Sequence, residues 1–515
     1  MNIYHLRFLT AAVSFVLVQG CAADSLPTDQ LIEVQASTDA VINVFPTILR
    51  RLPDHFLGLN FESQIFESDA LEAGSSQLKP GLLRQYQVLP GLVYRYPGGL
   101  MANHFNWEWA MGPAIYRTPQ KLADWAAPVP ARFGAEEYLS FLNDVNGRFW
   151  YTLNLNGWST TSMDAELPSA TVAASNGRLA AFIRDQAPSG PRYYQLGNEL
   201  DRNEYEWPTS KYIERASDTI AAMSQADPDA KFVAFLRDFN LTYQKSSGKS
   251  PYKTFNQAVL DALPMVNDLS FQYYYDDLRS ELLLRSSIPW RLKMFQAAIR
   301  DATAARQGRA PNVWITEHGR SRNPDITGRL ANTFTSGLAG ALSAADFWIA
   351  TAQMPAIQGA FLYSVGQWSI FNNAGSGVQP LPMYWVLRLL NDNRLPNVLA
   401  TQTNSPNESG YIGGYDVRAV ALADDTFANL GLWVVNRAAQ PHEINVELPV
   451  FGGQKVSVRH DFIAGRVGVA ADQDRQTPGV FFRQPARTVT VGADGVLVVG
   501  VPANSVSCFR ISLAN

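Results

Sequence analysis

The heptapeptide YYQLGNE, residues 193–199, carries the pattern that decides the fold class. It begins apolar and turns polar at its C-terminal end, as strands of a buried parallel sheet do. Seven other stretches share this pattern: FLGLNFE (56–62), LVYRYPGG (92–99), FWYTLNLN (149–156), KFVAFL (231–236), LSFQYYY (269–275), VWITEHG (313–319) and GAFLYS (359–364). Segments with helical periodicity lie between them. Eight such units predict an α/β fold built on a closed (β/α)8 TIM barrel. The alternative is an open doubly wound sheet. The absence of a Gly-rich nucleotide-binding loop after the first strand argues against it.

The hydrophobic pattern of the sequence changes near residue 396. Short alternating strands separated by Gly, Pro and Asn turns follow, which is typical of a β-sandwich. We therefore predict a barrel over residues 55–395 and a C-terminal β-sandwich over 396–515. Residues 24–54 are predicted to form a linker and an N-terminal strand that could join the sandwich.

The first 23 residues have the features of a targeting signal. Arg7 precedes a short apolar run and the small residues around Cys21, and the run is shorter than the roughly 20 residues that span a bilayer. Val18-Gln-Gly-Cys21 resembles a bacterial lipoprotein box, so Cys21 is a candidate lipid anchor, with cleavage after Ala23 as the alternative. This pattern predicts export, either as a secreted protein or as a periplasmic or outer-membrane lipoprotein.

Composition excludes several functional classes. The chain has 515 residues with 42 basic and 46 acidic side chains, a net charge of −4, which argues against a nucleic-acid partner. Its two cysteines cannot form a disulfide framework. Neither a His-Glu-x-x-His motif nor a Gly-x-Ser-x-Gly elbow occurs, so we predict no metal and no cofactor.

Two carboxylates dominate the polar ends of the predicted strands. Glu199 closes the fourth strand and Glu317 the seventh, and the ends of these strands face each other across a barrel mouth. Two carboxyl groups about 5–5.5 Å apart can act by double displacement at a sugar's anomeric carbon. We therefore predict that Glu199 and Glu317 form a catalytic pair.

A family resemblance supports this interpretation. YYQLGNELD resembles the Gly-Asn-Glu segment at the end of strand four in clan A glycoside hydrolases, and VWITEHG resembles their strand-seven nucleophile segment. More particularly, GLNFES, RYPGGLMANHFNWEWAMGP, FGAEEYLSFLNDVN and GNELD look like the family 51 α-L-arabinofuranosidases. The resemblance covers about residues 55–390, and it implies a barrel followed by a sandwich.

The resemblance also implies individual roles. Glu199 corresponds to the acid/base and Glu317 to the nucleophile, while Glu62 and Asn198 correspond to residues that bind sugar hydroxyls. Three positions depart from the family pattern. Leu100 replaces the usual Asn, Gln272 replaces a common His, and His318-Gly319 replaces a Trp-containing sequence.

Further substrate-binding candidates follow from their places at the barrel mouth. Arg95 could donate to the nucleophile, or serve as a structural barrel arginine. Trp107 could stack on a sugar, with packing as its alternative role, and Asn103 and Asn156 could bind sugar hydroxyls. Tyr273, one of three consecutive tyrosines whose faces alternate, is predicted to point into the barrel.

The sequence thus predicts an exported retaining glycoside hydrolase acting on a plant- or microbe-derived oligosaccharide or polysaccharide. An α-L-arabinofuranosidase-like activity is the first choice. The alternatives are a related clan A enzyme of the β-xylosidase or β-glucuronidase type, a transglycosylase, and a non-catalytic carbohydrate-binding protein.

Overall fold

Eight parallel strands close into the barrel that the sequence predicts. In the computed structural model they follow one another around the barrel in chain order, and the last strand pairs with the first. The strands are β2 (Leu57–Asn60), β3 (Val93–Tyr96), β6 (Arg148–Thr152), β7 (Tyr193–Leu196), β8 (Lys231–Phe235), β9 (Asp268–Tyr275), β10 (Asn312–Arg320) and β11 (Ile357–Leu362). All eight coincide with the predicted apolar stretches, and the open doubly wound sheet is ruled out.

The structure describes most of the chain. The described ranges are 38–62, 70–121, 127–157, 167–187, 189–200, 207–237, 252–275, 281–320, 335–365, 369–372, 378–406, 415–469 and 482–514. The predicted targeting segment and Cys21 lie outside them. Among the described residues, no helix combines the length and apolar character needed to cross a membrane.

Helices cover the barrel and present apolar faces to it. They are α1 (Pro80–Gln87), α2 (Ala135–Asp144), α3 (Ser169–Gln186), α4 (Thr209–Ala226), α5 (Tyr252–Ala262), α6 (Glu281–Ala305), α7 (Leu338–Ala352) and α8 (Pro382–Asp392). In α2, for example, Tyr138, Leu139 and Leu142 recur at helical spacing and are buried, while Glu136 and Glu137 lie in the first turn. Two short hairpins join β4 (Pro119–Gln120) to β5 (Val129–Pro130), and β12 (Phe371–Asn372) to β13 (Gln379–Pro380).

A mostly antiparallel sheet of ten strands forms the second domain, as predicted for the β-sandwich. Its strands are β1 (Thr38–Arg51), β14 (Asn397–Asn404), β15 (Val417–Ala423), β16 (Asn429–Asn436), β17 (His442–Glu447), β18 (Lys455–Ala464), β19 (Phe482–Arg483), β20 (Arg487–Thr490), β21 (Val496–Val501) and β22 (Ser505–Leu513). Strand β1 runs antiparallel to β14 and parallel to β17. Alternate residues such as Ile42, Val434, Ile444 and Phe509 fill a core of its own. The exact domain boundaries stay a prediction.

A buried ionic cluster joins the two domains. Asp346 on α7 is fully buried and accepts hydrogen bonds from Arg418 (2.6 Å), Arg437 (2.8 Å) and the hydroxyl of Tyr415. Since the three donors come from the sheet domain, this carboxylate fixes α7 of the barrel to that domain.

Strand β10 contains a β-bulge just before Glu317. Relative to β9, Ile315 pairs with Phe271 and Glu317 with the next residue, Gln272, so Thr316 is an extra residue. The register with β11 shifts within the same stretch of β10. A bulge reverses the side-chain alternation of a strand beyond the extra residue.

Candidate active site

Glu317 lies at the centre of a buried network at the C-terminal end of the barrel. Its Oε1 accepts from Arg95 Nη1 at 2.8 Å and from Gln272 Nε2 at 3.0 Å, and its Oε2 accepts from the Tyr274 hydroxyl at 2.9 Å. The side chain is almost fully buried. Three donors, one of them cationic, therefore hold both oxygens of this carboxylate in place.

Arg95 connects four strands of the barrel. Besides Glu317, its guanidinium donates to Gln195 Oε1 at 2.9 Å, to Asn198 Oδ1 at 2.6 Å and to Asn60 Oδ1. It is completely buried. The contact to Glu317 that the sequence suggested is therefore present, and Arg95 lies beneath both proposed catalytic segments.

Glu199 follows β7 in an unusual backbone conformation. Its φ is +44°, in the left-handed region that a residue with a Cβ rarely adopts. Such strained residues cluster at functional sites. The side chain is half-buried.

The hydroxyls of Tyr274 and Tyr363 both feel the charges of Glu199 and Glu317. Burial raises the pKa of Tyr274 well above its ordinary value, and the charges of Glu317 and Glu199 raise it further. Burial likewise raises the pKa of Tyr363, together with the charges of Glu62, Glu317 and Glu199. The charges of Glu199 and Glu317 therefore act on both hydroxyls, that of Glu62 acts on Tyr363, and both tyrosines stay protonated as donors.

Glu62 and the Gly98-Gly99 turn approach each other closely. The Gly99 N–H donates to Glu62 Oε1, and Glu62 is fully buried. A Cβ on Gly99 would overlap Glu62 and lie 3.2 Å from Glu317 Oε1. The glycine thus leaves room for both carboxylates.

Asn103 and Asn198 form a reciprocal pair. Asn103 Nδ2 donates to the Asn198 carbonyl at 2.6 Å, and the Asn198 N–H donates to Asn103 Oδ1 at 3.1 Å. Asn198 Oδ1 also accepts from Gln272 Nε2 at 2.5 Å. Both amides are anchored next to Glu199, although Asn103 lies on the loop after β3.

Known proteins with this architecture include an α-L-arabinofuranosidase. The structure of the thermostable GH51 α-L-arabinofuranosidase from Thermotoga petrophila RKU-1 matches with a TM-score of 0.73 at 16% identity, covering 92% of this chain and 99% of that one. At this identity the match establishes the fold.

Curated proteins add a match in sequence. An intracellular exo-α-(1→5)-L-arabinofuranosidase of Streptomyces lividans is 28% identical over 248 residues, 45% of this chain and 35% of that protein. A second, from Bacillus subtilis strain 168, is 26% identical over 182 residues, 33% of this chain and 35% of that protein. This chain resembles the family 51 α-L-arabinofuranosidases of clan A. It spans about a third of the length of these curated relatives, and no family model matches it.

The family 51 resemblance predicted from the sequence is confirmed, but the predicted export is wrong. Both curated relatives are named as intracellular enzymes, which contradicts a secreted or lipoprotein location. The first 23 residues suggested export because a basic residue precedes an apolar run there, which is a local feature. Such a feature is weak evidence beside a relationship that extends over hundreds of residues.

The structure corrects the prediction that Tyr273 points into the barrel. Its ring packs outward, against Phe295 of α6 and Phe347 of α7, at centroid distances of 5.9 and 5.7 Å. Tyr274 is the neighbour that faces inward. The sequence gives three adjacent tyrosines, and their faces depend on the register of β9 with β10.

Trp107 contacts helix α3 in the structure. Its indole Nε1 donates to Ser175 at 3.2 Å, and its ring stacks on Phe182 of α3 at 5.9 Å. The loop after β3 turns this side chain toward a helix, where it is partly buried, and its role in sugar binding stays a prediction.

Asn156 lies near the end of β6 and outside the network around Glu317. It is fully buried, its N–H donates to Asn154 Oδ1 at 2.9 Å, and its carbonyl accepts from Arg215. Its role in sugar binding stays a prediction.

Sequence reasoning missed Asn60 and Gln195, which both bond to Arg95. The sequence pattern could have indicated them. Strand β2 is next to β3, both β3 and β7 are next to β6, and inward-facing residues alternate along each strand. Asn60 and Gln195 have the same inward parity as Arg95. Among the described residues, no cluster of three or more His, Cys, Asp or Glu is arranged to hold a metal.

Proposed function

We propose that this protein is a retaining glycoside hydrolase that releases terminal α-L-arabinofuranosyl units. The observation that carries the proposal is the setting of Glu317, a buried carboxylate at the barrel mouth with Arg95, Gln272 and Tyr274 as donors. The choice of sugar rests on the two curated relatives, which are named as arabinofuranosidases.

In the first step Glu317 acts as the nucleophile. A carboxylate oxygen forms a bond to the anomeric carbon, the glycosidic C–O bond breaks, and Glu199 gives its proton to the leaving oxygen. The negative charge of Glu317 disappears in this step. Arg95 and Tyr274 remain hydrogen-bonded around the ester, so the nucleophile keeps its position.

In the second step Glu199 acts as the base. It removes a proton from water, the water oxygen bonds to the anomeric carbon, and the bond to Glu317 breaks with return of its electron pair. Two displacements give net retention of configuration.

The surrounding amides fit the binding of sugar hydroxyls. Since Asn198 Oδ1 already accepts from Arg95 and Gln272, its Nδ2 is the group that can donate to a hydroxyl next to the reacting carbon. Glu62, beside Gly99, can accept from a sugar hydroxyl.

A substrate panel combined with three variants tests this proposal. We expect hydrolysis of 4-nitrophenyl α-L-arabinofuranoside, and weaker or no hydrolysis of the matching β-xyloside and β-glucuronide. Glu317→Ala should lose at least about 10³-fold in kcat, and azide should partly restore turnover with inverted configuration. Azide with Glu199→Ala should give the retained glycosyl azide.

The control is Glu443→Ala, an exposed glutamate of the sheet domain, which should keep wild-type kcat. Unchanged activity of Glu317→Ala would show that the nucleophile is a different residue. Sugar binding by calorimetry without turnover of any glycoside would favour a carbohydrate-binding protein.

A further inference from the structure

The direction of the Glu317 side chain depends on the bulge in β10. Trp314 packs inside the barrel with Trp150 and Phe361. With strict alternation from Trp314, Thr316 would face inward and Glu317 outward. The extra residue reverses this order, so Glu317 faces Arg95 while the next side chain, His318, packs outward against Phe347 and Trp348 of α7.

Asn60 binds the backbone of this bulge. Its side-chain Nδ2 donates to the carbonyl of Thr316 at 2.9 Å and to the carbonyl of Leu362 at 3.3 Å. Thr316 is the extra residue of β10, and Leu362 ends the neighbouring strand β11. One amide thus ties the end of β2 to both strands at the point where the regular pairing is interrupted.

The same side chain also fixes the cation that pairs with Glu317. Asn60 Oδ1 accepts from Arg95 Nη1, the nitrogen that donates to Glu317 Oε1 at 2.8 Å. Asn60 is fully buried, and its own carbonyl accepts from the Ser364 hydroxyl at 2.6 Å. A neutral amide suits this place because it presents donors to carbonyls and an acceptor to a guanidinium.

We propose that Asn60 is the positioning residue of the nucleophile: its side chain holds the β10 bulge and Arg95 together and so keeps Glu317 turned into the barrel mouth. This inference rests on the proposed function, in which Glu317 attacks the sugar. Asn60 does not touch the substrate, so its loss should misplace the nucleophile without weakening sugar binding. A misplacement of about 1 Å is enough to cost roughly 10²-fold in rate.

Kinetics of Asn60→Ala and a matched variant separate positioning from stability. Asn436→Ala is the control, because Asn436 is also a fully buried asparagine whose Nδ2 donates to two backbone carbonyls, Gln440 at 2.9 Å and Pro502 at 2.8 Å, but in the sheet domain. We expect both variants to lose thermal stability. Asn60→Ala alone should lose about 10²-fold or more in kcat, with KM unchanged within about threefold. Equal kcat values for the two variants, per folded molecule, would overturn the proposal.

Asn60→Asp separates the two contacts of the side chain. It keeps an oxygen for Arg95 and replaces the donor to Thr316 and Leu362 with a second oxygen. It is isosteric, so it also serves if Asn60→Ala does not fold. We expect its kcat to fall as in Asn60→Ala, whereas wild-type kcat would contradict a role through the bulge.

The crystal structure of an Asn60 variant judges the inference independently of the substrate. We expect the register of β10 around Thr316 to change and the contact between Arg95 Nη1 and Glu317 Oε1 to break. Retention of both features refutes the positioning role even if the enzyme acts on another sugar. Conversely, a wild-type protein inactive on every glycoside refutes the proposed function, while this structure still decides the role of Asn60.

Discussion

Arg95 and Glu317 form a buried ion pair, Nη1 to Oε1 at 2.8 Å, although they are 222 residues apart in the chain. Both side chains are almost completely excluded from water, so neither charge has solvent as an alternative partner. Such a pair is costly to break on one side, because the remaining charge stays buried without compensation.

Arg95→Met should therefore lower the free energy of unfolding by about 3–5 kcal/mol and also abolish turnover. Chemical denaturation and kcat on 4-nitrophenyl α-L-arabinofuranoside measure the two effects. The double variant Arg95→Met/Glu317→Gln removes both charges and should recover part of the stability but none of the activity. Additive stability losses would contradict a direct pair.

Tyr274→Phe removes the hydroxyl that donates to Glu317 Oε2 at 2.9 Å while keeping the ring. A hydrogen bond to a charged group contributes about 1.5–3 kcal/mol, so kcat should fall by about 10- to 150-fold. Tyr273→Phe is the control, since that ring packs against Phe295 and Phe347, and its kcat should stay within about twofold of wild type. A large loss of kcat in Tyr273→Phe, with Tyr274→Phe near wild type, would show that Tyr273 is the tyrosine that acts at the site.

Trp107→Phe tests whether this side chain packs or binds sugar. The variant keeps a ring to stack on Phe182 and loses the hydrogen bond to Ser175. We expect a stability loss of about 1 kcal/mol and a KM within about twofold of wild type. A tenfold increase in KM for arabino-oligosaccharides would show that the indole contacts the substrate.

Asp346→Asn should loosen the attachment of the sheet domain to the barrel. The change leaves Arg418 and Arg437 facing a neutral amide, and the free energy of unfolding should fall by about 3–5 kcal/mol, with kcat at 25 °C unchanged. Asp425→Asn, which breaks an exposed pair with Arg51, should have a much smaller effect, because solvent screens that pair. Equal losses in the two variants would contradict the proposed role of burial.

Acid should destabilise the protein through its buried histidines. Burial lowers the pKa of His460 from 6.5 to about 4 in the folded state. The unfolded chain therefore binds more protons between these two values. The stability contributed by the neutral ring is complete above pH 6.5 and is lost as the pH falls toward 4.

The expected loss is up to about 1.4 kcal/mol per pH unit for such a histidine. Thermal unfolding of the wild type and of His460→Phe between pH 7.5 and 4.5 measures it. The phenylalanine keeps a ring to stack on Phe509, and its curve should fall less steeply on acidification. Parallel curves for the two proteins would contradict the prediction.

The sequence predicted the eight barrel strands because each one is an apolar run with a polar C-terminal end, and that pattern is local. It also indicated the contact of Arg95 with Glu317, which the structure shows, since strand ends meet at one face of a barrel. The catalytic roles of Glu199 and Glu317 stay a prediction. The choice of Tyr273 over Tyr274 failed because it needed the register between two strands.

By itself, then, the sequence determined the order of strands, the change to a second all-β domain and the residue types at the barrel mouth. Tertiary structure alone decided which way those residues face. Counting by two from Trp314 turns Glu317 away from Arg95, and the bulge at Thr316 turns it back. The physical reason is that side-chain alternation is a property of one strand, whereas a bulge is stabilised by contacts from other strands, here by the amide of Asn60 on β2.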